Sequence, residues 1–313
     1  MDNRAENMNK SRFSILISFL LISSGCISDS PPDLDDDGIP DLEDYDVDGD
    51  GWNNTLEVEC DSDPENSESR PTDTDGDLTC DIIDNDDDDD TWEDSNEIEC
   101  GSDPLVVYSV PDDLDDDKIC DPLDDDADGD GLPNEWESER GFDPMDPGDY
   151  LSCHGKTVFC LRTYDNFTFP ETHNAYSTIE DQVLLGVNHY TGLQKQWDNG
   201  IRAFMVDSHH RSYENTSQED VRFCHSTAQF IHPCQFGEVD AFEWIDLLNS
   251  LMNNSSGDVV TLLIENYVPP EHLGFLFNQT GMMSRIYEHS LGDPWPSIGD
   301  MVLGGKDLVV FWE

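Results

Sequence analysis

"GDVVTLLIENYV", residues 257–268, decides how the second half of this chain is read. Its apolar run from Val259 to Ile264 is the pattern of a strand buried on both faces, as in a parallel sheet covered by helices. The run stops at Glu265, a charge placed where the strand should end. Just upstream, "DAFEWIDLLNSLM" (240–252) puts Ala241, Trp244, Ile245, Leu248, Leu251 and Met252 on one helical face. "GIRAFMVDSHH" (200–210), "VRFCHS" (221–226) and "KDLVVFWE" (306–313) are further short apolar runs, each closing on a polar or charged residue. Strands alternating with helices predict βα units. A (β/α)8 barrel of the TIM type would gather His173, Asp207, His225, Glu265 and Glu313 at its strand ends, on the face where such barrels carry their active sites.

The first half is different in kind. The chain of 313 residues has a formal net charge of −58, and the charge is concentrated: residues 31–150 sum to −45, residues 151–313 to −13 and residues 1–30 to zero. An acidic surface adapted to high salt would be spread over the whole chain, so this acidity belongs to one module. So acidic a module also excludes a nucleic-acid partner.

That module repeats. "ECDSDP" (59–64), "ECGSDP" (99–104) and "ERGFDP" (139–144) recur with a period of 40. Each period holds two aspartate ladders. The first places Asp33, Asp35, Asp37, Asp41 and Asp44; then Asp73, Asp75, Asp77, Asp81 and Asp84; then Asp113, Asp115, Asp117, Asp121 and Asp124. The second places Asp46, Asp48, Asp50, Asn54 and Glu57; then Asp86, Asp88, Asp90, Asp94 and Glu97; then Asp126, Asp128, Asp130, Asn134 and Glu137. Positions 1, 3, 5, 9 and 12 are the ligand positions of an EF-hand-like loop, in which alternate oxygens wrap a hard cation and the last glutamate can bind through both oxygens. Thr91, Leu78 and Lys118 stand where the loop normally has glycine. Paired ladders with phased cysteines resemble thrombospondin type 3 repeats, which implies Ca2+ wrapped by chain with little regular structure. A disordered acidic tract is the alternative, but it needs neither a fixed period nor Trp52 and Trp92 in register. The expectation is a calcium-dependent spacer that repels itself open without the ion.

At the N-terminus a basic flank precedes the short apolar run Phe13–Ile22 and then "SSGC", the pattern of an export signal. The ending resembles a prokaryotic lipoprotein box, with Cys26 as the lipidated residue and a membrane anchor as the result; a plain cleaved signal is the alternative. Eight further cysteines form an even set suited to an oxidising compartment. Pairing neighbours would close short loops: Cys60 with Cys80, Cys100 with Cys120, Cys153 with Cys160 and Cys224 with Cys234. Zinc is the other use of such cysteines, and no Cys-x-x-Cys spacing supports it.

"THN" (172–174), "GIRAFMVD" (200–207), "CHS" (224–226), "LLIENYV" (262–268) and "PWPSIGDMVLGGKDLVVF" (294–311) resemble, in order and spacing, the X domain of phosphatidylinositol-specific phospholipase C, in its extracellular X-domain-only branch. The resemblance implies two catalytic histidines, His173 and His225, with His225 as acid and His173 as base or as stabiliser of the phosphoryl charge. It also implies an active-site Ca2+ on Asn174, Asp207 and Glu265, with Met205 where other members have a further acid. Arg202 would orient a carboxylate or line the site.

The resulting organisation is a signal over 1–26, a linker over 27–32, calcium repeats over 33–149 and an incomplete, apparently truncated barrel over 151–313. The expected activity is that of an exported phosphoric diester hydrolase acting on a phospholipid. The alternatives are a non-catalytic calcium-binding surface protein and a glycerophosphodiester phosphodiesterase, whose His-Arg-Gly opening is missing.

Overall fold

A computed structural model describes residues 31–184, 186–225 and 231–313; the export signal and Cys26 lie outside the described residues. The chain divides into two compact units, the first ending at Val110 and the second running from Pro111 to Glu313.

In the first unit each repeat condenses on a single helical turn or two: α1, Asn54–Glu59, and α2, Asp94–Cys100. The glutamate that ends each second ladder lies in the first turn of its helix and is buried, as Glu57 and Glu97. Apolar packing is slight: Trp52, Cys60 and Cys80, with Leu56 against them, form one cluster. So small a core does not hold a fold alone, and disulfides or metals are the usual supplement. Cys60 is bonded to Cys80, and Cys100 is disulfide-bonded as well. Leu78 (φ +75°) and Thr91 (φ +82°) adopt the left-handed conformation that Gly51 takes at φ +101°, so the loop backbone survives the loss of glycine. In the second unit Lys118 does the same at φ +74°.

The second unit opens with the third repeat and its helix α3, Asn134–Arg140. Beyond it a sheet forms from β1 (Glu171–Thr172), β2 (Ala203–His210), β3 (Val221–Phe223), β4 (Val239–Asp240), β5 (Val260–Asn266) and β6 (Leu308–Trp312). The path is β4-β3-β2-β5-β6, with β1 also on β2. Side chains alternate across it: Phe204, Val206, Leu262, Ile264 and Leu308 join the larger core, while Val259 and Val309 join a second cluster on the other side. α5, Ala241–Asn253, lays Trp244, Ile245 and Leu248 on the larger core, with Asp240 capping its Phe242 N–H at 2.9 Å. All six apolar positions expected on that helix face are buried. The remaining helices are α4 (Leu193–Asp198), α6 (Pro270–Gln279) and α7 (Ile298–Leu303). No helix among the described residues is long and apolar enough to cross a membrane.

The (β/α)8 barrel expected from the sequence is not what forms. β1, β2, β5 and β6 run parallel, but β3 runs antiparallel to β2, and β4 antiparallel to β3, so the sheet is mixed. The reason lies in the connection. Ten residues, 211–220, link β2 to β3, and a parallel return needs a crossover of about a dozen or more, usually helical. The apolar run "VRFCHS" therefore folds straight back on β2, a direction that periodicity does not encode.

At the N-terminal end of the strands a polar lock holds the unit closed. Arg202 Nε lies 3.0 Å from Asp258 Oδ2, His154 Nδ1 lies 3.0 Å from Asp258 Oδ1, and Ser255 also bonds the carboxylate. Burial opposes the charge on Asp258, yet His154, Ser255 and Arg202 hold its pKa below the usual carboxylate range. Asp258→Ala would remove the shared partner of the half-buried Arg202 and His154 and of Ser255, and a loss of about 3 kcal/mol in unfolding free energy is expected, read by urea denaturation. Because the folded pKa is depressed, this stabilisation is present above pH 4 and disappears as pH falls through the folded value.

Candidate active site

Asp207 is the hub. It sits on β2 with 1% exposure, and Glu265 of β5 is its partner in register. The chain after β3 comes alongside through Cys224 N–H, which donates to the Asp207 carbonyl at 3.2 Å. That bond delivers the next residue, His225, whose Nδ1 lies 2.6 Å from Asp207 Oδ2. A carboxylate can only accept, so Nδ1 carries a proton and Nε2 is the atom left to exchange one. The Cys224–Cys234 disulfide ties this segment down next to the histidine.

His173 and Asn174 arrive from β1. Ala175 N–H donates to the Met205 carbonyl at 2.9 Å, which keeps the segment against β2. The His173 ring is exposed; Asn188 Nδ2 donates to its Nδ1 at 2.9 Å, and His189 Nε2 reaches its carbonyl at 2.8 Å. With Nδ1 accepting, Nε2 carries the ring proton. Asn174 holds a left-handed φ of +50° and is 1% exposed.

Two further residues belong here that the sequence motifs did not flag. Tyr176 is fully buried and donates to Asp207 Oδ2 at 3.3 Å. Burial and then the Asp207 charge push its phenol far up, so it stays a donor. Tyr267 donates to Glu265 Oε2 at 3.2 Å and stacks on His209 at 4.4 Å. Burial raises the Asp207 pKa, and hydrogen bonds from His225 and Tyr176 offset part of the rise.

His173, Asn174, Asp207, His225 and Glu265 are thus brought to one region of the sheet. Arg202 is not. It precedes β2, five residues and about 16 Å of strand from Asp207, with its guanidinium 3.7 Å above the Trp197 ring and its charge on Asp258. Its part is structural. For a cation, the donors that fit are Asn174, whose Oδ1 and Nδ2 are both buried without partners, and Asp207, whose Oδ1 is likewise unsatisfied. Met205, 4% exposed, adds no oxygen.

The acidic loops show the same signature more strongly. Asp33, Asp35 and Asp37 converge, as do Asp46, Asp48 and Asp50, Asp73, Asp75 and Asp77, Asp86, Asp88 and Asp90, and Asp113, Asp115 and Asp117. Buried carboxylate oxygens without hydrogen-bond partners include those of Asp48, Asp50, Glu57, Asp88, Asp90, Glu97, Asp128, Asp130 and Glu137, of which Asp50 Oδ2 lies 3.5 Å from Arg70 Nε. The residues at position 9 close the loop: Asn54 Oδ1 accepts from Val47 N–H at 2.9 Å and its Nδ2 donates to the Asp44 carbonyl at 2.9 Å, and Asn134 does the same with Ala127 and Asp124. Asp94, Asp41 and Asp121 each spend one oxygen in the same way, and Asp81 spends both, accepting from Thr74 N–H at 2.9 Å and from Thr74 Oγ1 at 3.0 Å. Asp44, Asp84 and Asp124 accept from the backbone two residues on.

The buried carboxylate Asp207 on the central strand β2 is thus paired with His225, and His173 follows the neighbouring strand β1. Residues 159–313 match the family model described as PI-PLC X 1. A PI-PLC X domain-containing protein of Arabidopsis thaliana is 28% identical over 160 residues, 47% of this chain. An uncharacterized secreted protein of Arthroderma benhamiae is 24% identical over 173 residues, 53% of this chain. In each case the match spans 36% of the relative's own length.

Proposed function

We propose that the second unit is an exported phosphoric diester hydrolase that cleaves a phosphoinositide or related phospholipid, and that the acidic loops bind Ca2+. The observation that carries the first part is the His225–Asp207 pair set beside His173. Cleavage of such a diester by its own inositol hydroxyl forms an oxygen–phosphorus bond to a cyclic phosphate and breaks the bond to the glycerol oxygen. One proton leaves the hydroxyl and one must reach the departing oxygen. His225 Nε2 is the donor to that oxygen, and His173 Nε2–H stabilises the phosphoryl charge. Asp207 Oδ1 and Glu265 are the carboxylate oxygens at hand for the hydroxyl proton. Where Ca2+ occupies Asn174, Asp207 and Glu265, it adds charge stabilisation at the phosphate. The disulfides support an oxidising destination, and lipidation at Cys26 would anchor the protein to a membrane.

The test offers the full chain vesicles of phosphatidylinositol, and glycerophosphodiesters separately, each with calcium and with chelator. A cyclic inositol phosphate product supports the reading; a well-folded, calcium-loaded protein without turnover on either substrate refutes it. Tyr176→Phe gives a finer check. Loss of its hydrogen bond lifts the Asp207 pKa further, so the acidic limb of the kcat profile is expected to move to higher pH with the fold unchanged; a stationary limb means that Tyr176 only fills space.

A further inference from the structure

We infer that the loop Asp126–Glu137 is a divalent-cation site built into the second unit, and that filling it seats the segment that carries α7 and β6. The inference rests on the calcium reading of the acidic loops and concerns what one of them does. The third repeat departs from the other two at the positions that face its surroundings. Cys60 and Cys100 become Arg140, Ser62 and Ser102 become Phe142, and Trp52 and Trp92 become Leu132. The staple of the earlier repeats is lost, and Cys160, one period after Cys120, bonds Cys153 instead.

Each departure is taken up by the second unit. Leu132 is 0% exposed in a cluster with Cys153, Cys160, Tyr164, Ile298 and Met301. Arg140 lies 4.5 Å above the Trp136 ring and reaches Asp300 Oδ1 through Nε at 3.1 Å and Nη2 at 3.0 Å. Phe142 stacks on Trp136 at 5.9 Å. Gly299 of α7 passes so close that a Cβ there would lie 2.9 Å from Trp136. The loop itself is gripped: Thr157 Oγ1 donates to the Asp130 carbonyl at 2.7 Å and leaves no room for a Cβ on Gly131, whose φ is +93°.

The evidence for a ligand is separate from this packing. Glu137 is 0% exposed, and both of its carboxylate oxygens lack partners. In the other repeats a serine donates to that glutamate, Ser62 at 3.5 Å and Ser102 at 3.0 Å. Phe142 removes the donor, so Glu137 faces the unsatisfied oxygens of Asp128 and Asp130 with no protein group to balance it. A hard cation supplies that balance. Because the same residues fix the loop and α7, binding and packing are linked, and each must strengthen the other.

Hydrogen–deuterium exchange on the full chain tests this. Calcium is expected to slow peptides covering 157–164 and 296–312 about ten-fold or more relative to chelator. Glu137→Gln should abolish the slowing, whereas Glu57→Gln should keep it. Thr157→Val, outside the acidic loop, should weaken one class of sites about five-fold in calcium titration. If calcium binds and slows the first unit but leaves those peptides unchanged, or if Thr157→Val leaves every affinity unchanged, this inference is overturned and the calcium reading stands. If titration shows no calcium bound at all, both fall.

Discussion

His225→Ala is expected to lower turnover of phosphatidylinositol by about 10²–10⁴-fold, the usual worth of a positioned proton-transfer group. The side chain is 32% exposed and its bond to Asp207 is its anchor, so the fold should survive and near-ultraviolet circular dichroism should match the wild type. The loss should fall on kcat rather than KM, because proton donation stabilises the transition state and does little for ground-state binding. His173→Ala should also lower kcat, and the double variant should lose less than the product of the single losses if the two act in one step. Wild-type rates from either single variant would remove that histidine from the mechanism.

Calcium removal is expected to open the first unit. Glu57 and Glu97 are fully buried, each facing a set of aspartates, and one small cluster around Trp52 is a weak counterweight. Far-ultraviolet signal should fall and the hydrodynamic radius rise on adding chelator; no change in either would refute calcium as the organiser of the repeats. The pH dependence separates the bound and free forms. In the second unit burial first, then neighbouring aspartates, raise Glu137 from 4.5 to about 7. A carboxyl with a raised folded pKa binds more protons folded than unfolded, so metal-free protein should lose stability as pH rises from about 4 to about 7. With calcium the slope should reverse, since protons displace the ion at low pH. Melting temperatures between pH 5 and pH 8, with and without calcium, read both slopes, and slopes of the same sign would contradict the account.

Much of this was legible because particular residues constrain it. The period of 40 and the alternate aspartates fix the loops, and the face of α5 and the core side of β5 follow from helix and strand periods. The motif order was enough to bring His173, Asp207, His225 and Glu265 together. What was not legible depends on direction and on neighbours. The antiparallel return of β3 depends on the length of a connection, not on any pattern within the strand. Arg202 carries the same local sequence whether it serves a site or a lock; only Asp258 and Trp197, distant or off the motif, decide. Tyr176 gives no sequence signal of its own, since a buried tyrosine is ordinary until its hydroxyl finds Asp207.

The asparagine clasps bear on how quickly the loops can trade ions. In loops 46–57 and 126–137 the amide at position 9 has both its groups committed to backbone, so an ion seated there completes its shell with water at that vertex. In loop 86–97 the same vertex is Asp94, with one oxygen on Asp87 N–H and a second to offer. With Ca2+ bound, the three loops would therefore form a graded series rather than identical copies: the middle one would have an extra charge with which to retain its ion, and the outer two would have a water-completed vertex at which theirs exchanges.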